Sequence, residues 1–147
     1  MSCVNITKMS WPQFKERESI YHIFCKHFSN TSFVAVRQGE VLGFLLGFIS
    51  QVKAGHGYIH LVATDPKNQR QGIATALYEK FFRTTKKKGV RHVSLIVNPD
   101  NVASLRFHER LGFRPNLRGA LIAVAGVEAV KDYNGPGNHM VPFTKEI

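Results

Sequence analysis

The sequence predicts a single domain of mixed α/β (α+β) class, in which helices cover a central sheet. Its 147 residues suffice for one hydrophobic core. A composition of 44% hydrophobic and 20% charged residues is typical of a soluble globular protein and argues against a disordered chain. Strand-like and helix-like patterns follow one another without a repeat or a linker, so we expect the domain to span residues 1–147.

The predicted elements follow from hydrophobic periodicity and from turn residues. Strands are indicated by alternating or β-branched runs, and helices by apolar residues that recur every three or four positions. Ser10 with Gln13 forms a capping box, and Gly89 is a typical helix end. In order, the chain predicts a strand Val4–Met9, a helix from Phe14 to Phe28, a hairpin of Phe33–Val36 and Val41–Ser50 around Gln38-Gly39, a strand Tyr58–Thr64, a helix Gly72–Lys88, a strand His92–Val97 and a helix Asn101–Leu111.

The carboxy-terminal part is less regular. Ala120–Val130 is apolar and fits either a strand or a helix, and its need for cover suggests a homodimer. Asn134–Asn138 contains the glycines and proline of a turn. Met140–Ile147 predicts a last strand, which Pro142 would place at a sheet edge because proline lacks the N–H that a central strand uses.

Composition also limits where the protein acts. The amino terminus lacks the basic and apolar sections of a signal peptide. The longest apolar run, Val41–Ile49, is much shorter than the about 20 residues that cross a bilayer. Cys3 and Cys25 are too few for a disulfide framework. We therefore expect a cytoplasmic protein that does not bind membranes.

The segment between the predicted strand Tyr58–Thr64 and the following helix has the properties of a phosphate-binding turn. The first N–H groups of a helix have no partner within the helix and lie at the positive end of its dipole. Gly72 and Ala74 lack bulk, so a pyrophosphate can approach the backbone, and Arg70 adds a positive charge. The spellings of the P-loop and of the dinucleotide-binding loop are both absent.

Two motifs around this turn resemble those of the GNAT acetyltransferase superfamily. Gln69–Ala74 resembles the [RQ]-x-x-G-x-[GA] motif, and Asn101–Phe113 resembles the helix motif N-x-x-[AS]-x-x-F-Y-x-x-x-G-F, with His108 in place of its tyrosine. The resemblance implies the GNAT acyl-CoA N-acyltransferase fold, a central, mostly antiparallel sheet with a splayed parallel pair flanked by helices. It also implies direct transfer of acetyl from acetyl-CoA, the co-substrate, to a primary amine without a metal.

The resemblance assigns most of the cofactor contacts. Backbone groups near the end of the strand Tyr58–Thr64 would pair with the pantetheine arm, and the turn would hold the pyrophosphate. Asn101, Ser104 and His108 share one face of the second motif by helical spacing, although a helix cap at Asn101 and a merely solvated face are the alternatives. The predicted contacts with acetyl-CoA are Val62, Ala63, Thr64, Gln69, Arg70, Gln71, Gly72, Ile73, Ala74, Thr75, Asn101 and Ser104.

Two histidines are the predicted catalytic residues. The family's tyrosine, with a pKa of about 10, protonates the departing CoA thiolate; His108, with an ordinary pKa of about 6.5, would take that role with a lower alkaline limit. The alternative is that His108 is a bystander. His60 precedes Val62 by two residues, so alternation places both on one strand face, and His60 would accept the amine proton. The alternative is a packing histidine.

The charge balance leaves a second class of function open. Lys and Arg number 20 against 10 Asp and Glu, a formal net charge of +10. Lys86, Lys87 and Lys88 end a predicted helix, where they either complement the helix dipole or, with Arg91, bind a polyanion. A nucleic-acid-binding module is therefore one alternative, although no RNA-binding motif or zinc spacing supports it. A GNAT domain that senses CoA or uses another acyl group is the other.

Overall fold

The computed structural model of the chain describes residues 20–147. The predicted strand Val4–Met9, the capping box and the start of the first predicted helix lie outside the described residues. The described residues divide into two compact units, with the boundary between Arg91 and His92. The single domain spanning 1–147 stays a prediction.

Every predicted element within residues 20–147 is present, with ends within two residues of the expected ones wherever both ends are described. The first unit contains helix α1 (Ile20–His27), strands β1 (Phe33–Arg37), β2 (Glu40–Ile49) and β3 (His56–Thr64), and helix α2 (Ile73–Lys86), with single 3₁₀ turns at Ser29–Thr31 and Pro66–Asn68. The second unit contains β4 (His92–Val97), helix α3 (Val102–Arg110), β5 (Arg114–Pro115), β6 (Leu121–Val124), β7 (Val127–Val130) and β8 (Val141–Glu146).

Strands β1, β2 and β3 form an antiparallel meander in the first unit. The predicted hairpin is confirmed: β1 and β2 are joined by Gln38 and Gly39, which both have positive φ angles, 49° and 81°. This is the conformation of a tight two-residue turn that matches the right-handed twist of the strands.

Helix α1 covers one face of this meander. Phe24 is buried and packs with Phe44, Leu46 and Ala63 in one cluster. Aromatic rings extend the cluster along the sheet, since the centroid of Phe48 lies 6.4 Å from that of Phe24. Phe24 therefore forms part of the core, and the half-buried rings of Phe28 and Phe48 pack against it.

Helix α2 covers the opposite face, and close approach to the sheet decides where it lies. Ile73, Leu77 and Phe81 are buried, which confirms the predicted four-residue periodicity. Phe81 lies over Gly47: a Cβ atom added to Gly47 would come within 2.5 Å of Phe81 Cε2 and 2.9 Å of the Tyr58 carbonyl oxygen. Only glycine at position 47 allows the ring to lie this close to the sheet.

In the second unit, β8 lies between β4 and β5, so the expectation that Pro142 marks an edge strand is wrong. In an antiparallel strand, the N–H and C=O of a residue point to the same side. The Pro142 carbonyl accepts a hydrogen bond from the Asn116 N–H at 2.8 Å, so the missing N–H also faces the β5 side. Strand β5 ends at Pro115, so the β5–β8 ladder stops near Pro142. The missing N–H of Pro142 therefore removes few hydrogen bonds from the ladder.

The ambiguous segment Ala120–Val130 forms a second antiparallel hairpin. Strands β6 and β7 pair with each other around Ala125 and Gly126. The apolar residues of this segment have no clear period, so the sequence fits a strand or a helix equally well. The hydrogen bonds between β6 and β7 show that the segment forms two strands. The predicted turn at Asn134–Asn138 is confirmed. Within residues 20–147, no helix has the length and apolar character needed to cross a membrane.

We predict that Gly47→Ala destabilises the protein by about 1–3 kcal/mol, because Phe81 or the β3 backbone must move to admit the methyl group. Gly57→Ala is the matched control: its Cβ atom would meet Phe81 and Val90 at 3.4 Å, an ordinary contact distance. Urea denaturation measures the difference. Equal midpoints for the two variants would show that the packing of Phe81 does not constrain position 47.

Candidate active site

Strand β3 carries a β-bulge at His60. Leu46 of β2 pairs with Leu61, whereas its neighbour Gly47 pairs with Ile59, so His60 is an extra residue without an opposite partner in the β2–β3 ladder. Such a bulge bends a strand and changes the direction of its side chains. The His60 ring stacks on Phe24 with a centroid separation of 5.1 Å, on the α1 face of the sheet.

The bulge makes one expectation wrong, namely that His60 and Val62 share a strand face. Leu61 packs against the same α1-side cluster as Phe24, so His60 and Leu61 lie on one face although they are adjacent in sequence. Val62, after Leu61 in regular alternation, lies on the opposite face. Strict alternation holds only in a strand without an inserted residue.

The His60 ring is exposed to solvent and also packs against an apolar ring. Its side chain is exposed overall, but one face of the ring rests on Phe24. The resulting partial loss of hydration lowers the pKa of His60 below its ordinary value of 6.5. The ring is therefore mainly neutral at pH 7, which is the form that accepts a proton.

The turn after β3 is held by its own side chains. Asp65 Oδ1 accepts a hydrogen bond from the Lys67 N–H at 3.0 Å, and Asp65 Oδ2 accepts one from Asn68 Nδ2 at 3.2 Å. Pro66 occupies the first position of the 3₁₀ turn, where its lack of an N–H costs nothing. These contacts bring the end of β3 and the start of α2 into a defined geometry.

The start of α2 has the properties of an anion site. Gly72, with a φ angle of 73°, is the N-cap residue, and no side chain caps the helix. The first bond within the helix runs from the Ala76 N–H to the Gly72 carbonyl, so the N–H groups of Ile73, Ala74 and Thr75 have no partner within the helix. A Cβ atom added to Gly72 would meet nothing within 4 Å, so the space beside this N-cap residue is open.

Arg70 is in the left-handed region, with a φ angle of 66°. This conformation is uncommon for a residue with a side chain and costs about 1 kcal/mol or more, and it concentrates at ligand-binding sites. The Arg70 side chain is exposed. The predicted phosphate turn therefore contains an exposed cation, two left-handed residues, Arg70 and Gly72, on either side of Gln71, and three N–H groups without a partner within the helix.

Arg37, at the end of β1, belongs to this site and was missed by the sequence analysis. Its Nη1 donates a hydrogen bond to Gln71 Oε1 at 3.2 Å, and Gln71 Nε2 donates to Asn68 Oδ1 at 3.4 Å. A separation of 34 residues in the sequence conceals the contact. The hairpin after Arg37 was a usable signal, because β2 then pairs with β3 and places this turn beside the end of β3.

Val62, Ala63 and Thr64 lie at the end of β3, directly before the turn. On the β2 side they pair with Leu45, Phe44 and Gly43 in register. The first unit therefore brings together a large part of the predicted site. That part consists of His60, Val62, Ala63, Thr64 and the turn residues Gln69 to Thr75.

In the second unit, the face predicted for α3 is present. Asn101 Oδ1 accepts a hydrogen bond from the Ser104 N–H at 3.1 Å, so Asn101 is the helix cap. Ser104 Oγ lies 3.2 Å from His108 Nδ1, and the Ser104 carbonyl oxygen lies 2.7 Å from the same nitrogen. Asn101, Ser104 and His108 thus form one connected row along the helix.

His108 is the buried end of this row, which the sequence analysis did not anticipate. The ring is packed edge-on against Phe113 at 5.6 Å between centroids and tilted against Phe143 at 6.0 Å. The neighbouring aromatic residue, Phe107, is only half-buried. The helix is therefore rotated so that the histidine, rather than Phe107, lies deepest.

Burial lowers the pKa of His108 below 6.5, and the hydrogen bond with the Ser104 carbonyl raises it in part. A carbonyl oxygen only accepts, so Nδ1 carries the hydrogen and Nε2 is the unprotonated nitrogen of the neutral ring. The imidazolium is a minor form at neutral pH. This environment opposes the storage of a proton on His108 and adds a cost to the predicted acid role.

No group of three or more His, Cys, Asp or Glu side chains within residues 20–147 is arranged to hold a metal ion.

Comparison with known sequences identifies the family. The sequence model of the Acetyltransferase (GNAT) family matches residues 2–113. The chain belongs to the GNAT acetyltransferase family. The match includes both motifs on which the predicted family resemblance depended, the turn Gln69–Ala74 and the helix segment Asn101–Phe113.

Curated GNAT relatives share about a third of the aligned residues. An L-2,4-diaminobutyric acid acetyltransferase of Nocardia farcinica is 29% identical over 85 residues, which are 58% of this chain and 44% of the relative. The N-alpha-acetyltransferase 30 of Schizosaccharomyces pombe is 32% identical over 97 residues, 64% of each protein. The chain thus matches about half to two thirds of the length of these two relatives.

Solved structures show the same fold. Ard1 of Thermoplasma volcanium has a TM-score of 0.79 at 19% identity, covering 100% of this chain and 94% of its own. An aminoglycoside 6'-N-acetyltransferase complexed with coenzyme A has a TM-score of 0.69 at 15% identity, covering 98% of this chain and 89% of its own. The predicted GNAT fold, a mixed sheet flanked by helices, is confirmed.

Proposed function

We propose that the protein transfers an acetyl group from acetyl-CoA directly to a primary amine. The observation that carries this proposal is the uncapped, open start of α2 at Gly72, directly after the strand whose end would pair with the pantetheine arm. The amine nitrogen attacks the thioester carbonyl, a C–N bond forms and the C–S bond breaks. The amine loses one proton, and the departing CoA thiolate gains one.

In this proposal the described residues hold acetyl-CoA in two ways. The amides of Ile73, Ala74 and Thr75 bind the pyrophosphate at the positive end of α2, and Arg70 adds a charge-assisted contact. Arg37 acts through Gln71 as a positioning residue for this turn. The acetyl-bearing arm extends along Val62, Ala63 and Thr64 by backbone pairing, as in added-strand recognition.

Asn101 and Ser104 complete the proposed cofactor contacts from α3. The cap uses Asn101 Oδ1, so the amide nitrogen of that side chain is the group proposed to face the CoA arm. The position of Ser104 between Asn101 and His108 makes its hydroxyl the second polar contact.

For the acceptor, we propose an α-amino group rather than a lysine-like amine. An α-amine has a pKa of about 7.8, and a lysine amine has a pKa of about 10.4. Whatever the lowered pKa of His60, proton transfer to it is less unfavourable from the α-amine than from the lysine amine by about 3.5 kcal/mol, which is the difference between the two amine pKa values. The relationship to N-alpha-acetyltransferase 30 supports this choice, whereas the diaminobutyric acid enzyme indicates a small acceptor as the competing case.

We also propose a homodimer, supported by the β6–β7 hairpin, where Leu121 is 46% exposed. The cytoplasmic location stays a prediction.

The binding part of the proposal is tested at Gly72. We expect acetyl-CoA at about 100 times its Kd to stabilise the protein by about 2.7 kcal/mol, measured by thermal shift. Gly72→Ala should weaken acetyl-CoA binding at least tenfold, because the methyl group enters the space before the amides. Gly89→Ala is the control: its φ angle is 89°, its surroundings are equally open, and it lies beyond the other end of α2. No stabilisation of the wild type, or equal binding by both variants, would contradict the proposal.

The base is tested at His60. If neutral His60 accepts the amine proton, kcat/KM is high above its pKa and falls as pH decreases through it, below 6.5. We expect His60→Ala to abolish this acidic limb and to lower kcat/KM for an α-amine about 100-fold. His56→Ala, a change at the first residue of the same strand, serves as the control. An unchanged acidic limb in His60→Ala would remove the base role.

The acid is tested at His108. We propose that the imidazolium form of His108, which carries a proton taken from solvent on Nε2, donates that proton to the CoA thiolate and becomes neutral, so kcat should fall as pH rises through the lowered pKa of His108. We expect His108→Phe to reduce kcat at least tenfold with KM for acetyl-CoA unchanged. His108→Tyr should restore activity and move the alkaline limit toward about pH 10. Wild-type kcat in His108→Phe would show that the ring only packs between the aromatic residues.

A further inference from the structure

The end of α2 opposite the phosphate turn carries a dense positive surface, here named the basic end. Three consecutive lysines end the helix, and further cations come from the adjoining turn and from the β2–β3 loop. All of these side chains are exposed. The basic end consists of Lys53, Arg83, Lys86, Lys87, Lys88 and Arg91.

Tertiary contacts assemble this surface from two parts of the chain. The Arg91 N–H donates a hydrogen bond to the Gly55 carbonyl at 2.8 Å, which joins the segment after α2 to the loop that contains Lys53. Val90, beside Arg91, is fully buried and anchors the segment. The Lys88 N–H donates to the Thr85 carbonyl at 2.9 Å. The backbone that carries these lysines and arginines is therefore held in place by hydrogen bonds and by the buried Val90 side chain.

The charge exceeds what the helix itself requires. A helix carboxy terminus carries about half a negative charge, which one or two cations complement. The sequence from Lys80 to Pro99 contains no Asp or Glu, and neither does Val41–Thr64, which includes the β2–β3 loop. Glu79, one turn before Arg83, is the nearest acidic residue along the helix. These two segments therefore contain no carboxylate that could neutralise the lysines and arginines of the basic end.

Acetyl-CoA does not account for this surface. The phosphate turn is at the start of α2, and the 14 residues of the helix separate it from the basic end by about 20 Å. A membrane is also a poorer match, because stable binding to a lipid surface needs an apolar anchor besides the basic charge. Val52, which is 90% exposed, is the single large hydrophobic residue of this region among the exposed ones.

We propose that the basic end binds the phosphate backbone of RNA, without reading its sequence. Lysine and arginine side chains on an ordered surface provide the charge for phosphate contacts. The basic end contains no aromatic side chain on which bases would stack, so recognition depends on charge. RNA and acetyl-CoA then occupy opposite ends of α2 at the same time. This inference stands independently of the proposed transfer reaction.

Fluorescence anisotropy with a labelled 20-nucleotide single-stranded RNA tests the proposal on the full chain. If four cations contact phosphates, the plot of log K against log salt concentration has a slope of about −2.8. The triple variant K86Q/K87Q/K88Q should bind at least tenfold more weakly at 100 mM salt, with a slope smaller in magnitude by about 2. The control K26Q/R110Q/K131Q removes the same charge at exposed positions elsewhere and should bind within threefold of the wild type.

Three results would overturn the inference. Equal losses in the two triple variants would show that net charge, not the basic end, attracts RNA. Displacement of RNA by saturating acetyl-CoA would place the RNA at the phosphate turn instead. Binding to anionic phosphatidylserine vesicles or to a poly-glutamate peptide, without RNA binding, would assign the surface to a different partner. The melting temperature of each variant, measured with and without acetyl-CoA, shows that the fold and the phosphate turn are intact.

Discussion

The packing of Phe81 over Gly47 is the contact on which the arrangement of the first unit depends. It lets α2 lie close to the β2–β3 pair, and the position of the helix then decides the position of both of its ends. The start of α2 meets the end of β3, where unpaired amides face open space. The other end meets the β2–β3 loop, where the cations collect. One close helix–sheet contact thus determines the positions of both ends of α2, the start at Gly72 and the basic end.

The bulge at His60 changes which residues of β3 face α1 and which face α2. Before the bulge, the strand packs its alternate residues on α1 and α2 in the usual way. The extra residue puts Leu61 on the α1 face beside His60, and the end of the strand continues to the turn before α2. The stacked Phe24 ring covers one side of the imidazole, and burial lowers the pKa of His60.

His60 and His108 are both neutral at pH 7, but for different reasons and with different consequences. His60 is exposed on one side, so its neutral ring is accessible to a substrate proton. His108 is enclosed by aromatic rings, and its Nδ1 is committed to the Ser104 carbonyl. A neutral ring suits a base directly, whereas an acid must first acquire its proton. The proposed base role therefore agrees better with the electrostatics than the proposed acid role does.

The sequence by itself determined the order of the elements from β1 to α3, the GNAT family and the position of the turn before α2, because these depend on residues that are close together in the chain. Gln69–Ala74 and Asn101–Phe113 are contiguous motifs, and a contiguous motif can be identified from the sequence alone. Tertiary structure alone decided the Arg37–Gln71 contact, the face of His60, the burial of His108, the central place of β8 and the assembly of Lys53 with the end of α2. Each depends on pairing or packing between distant segments, and periodicity within a segment carries no information about its partner.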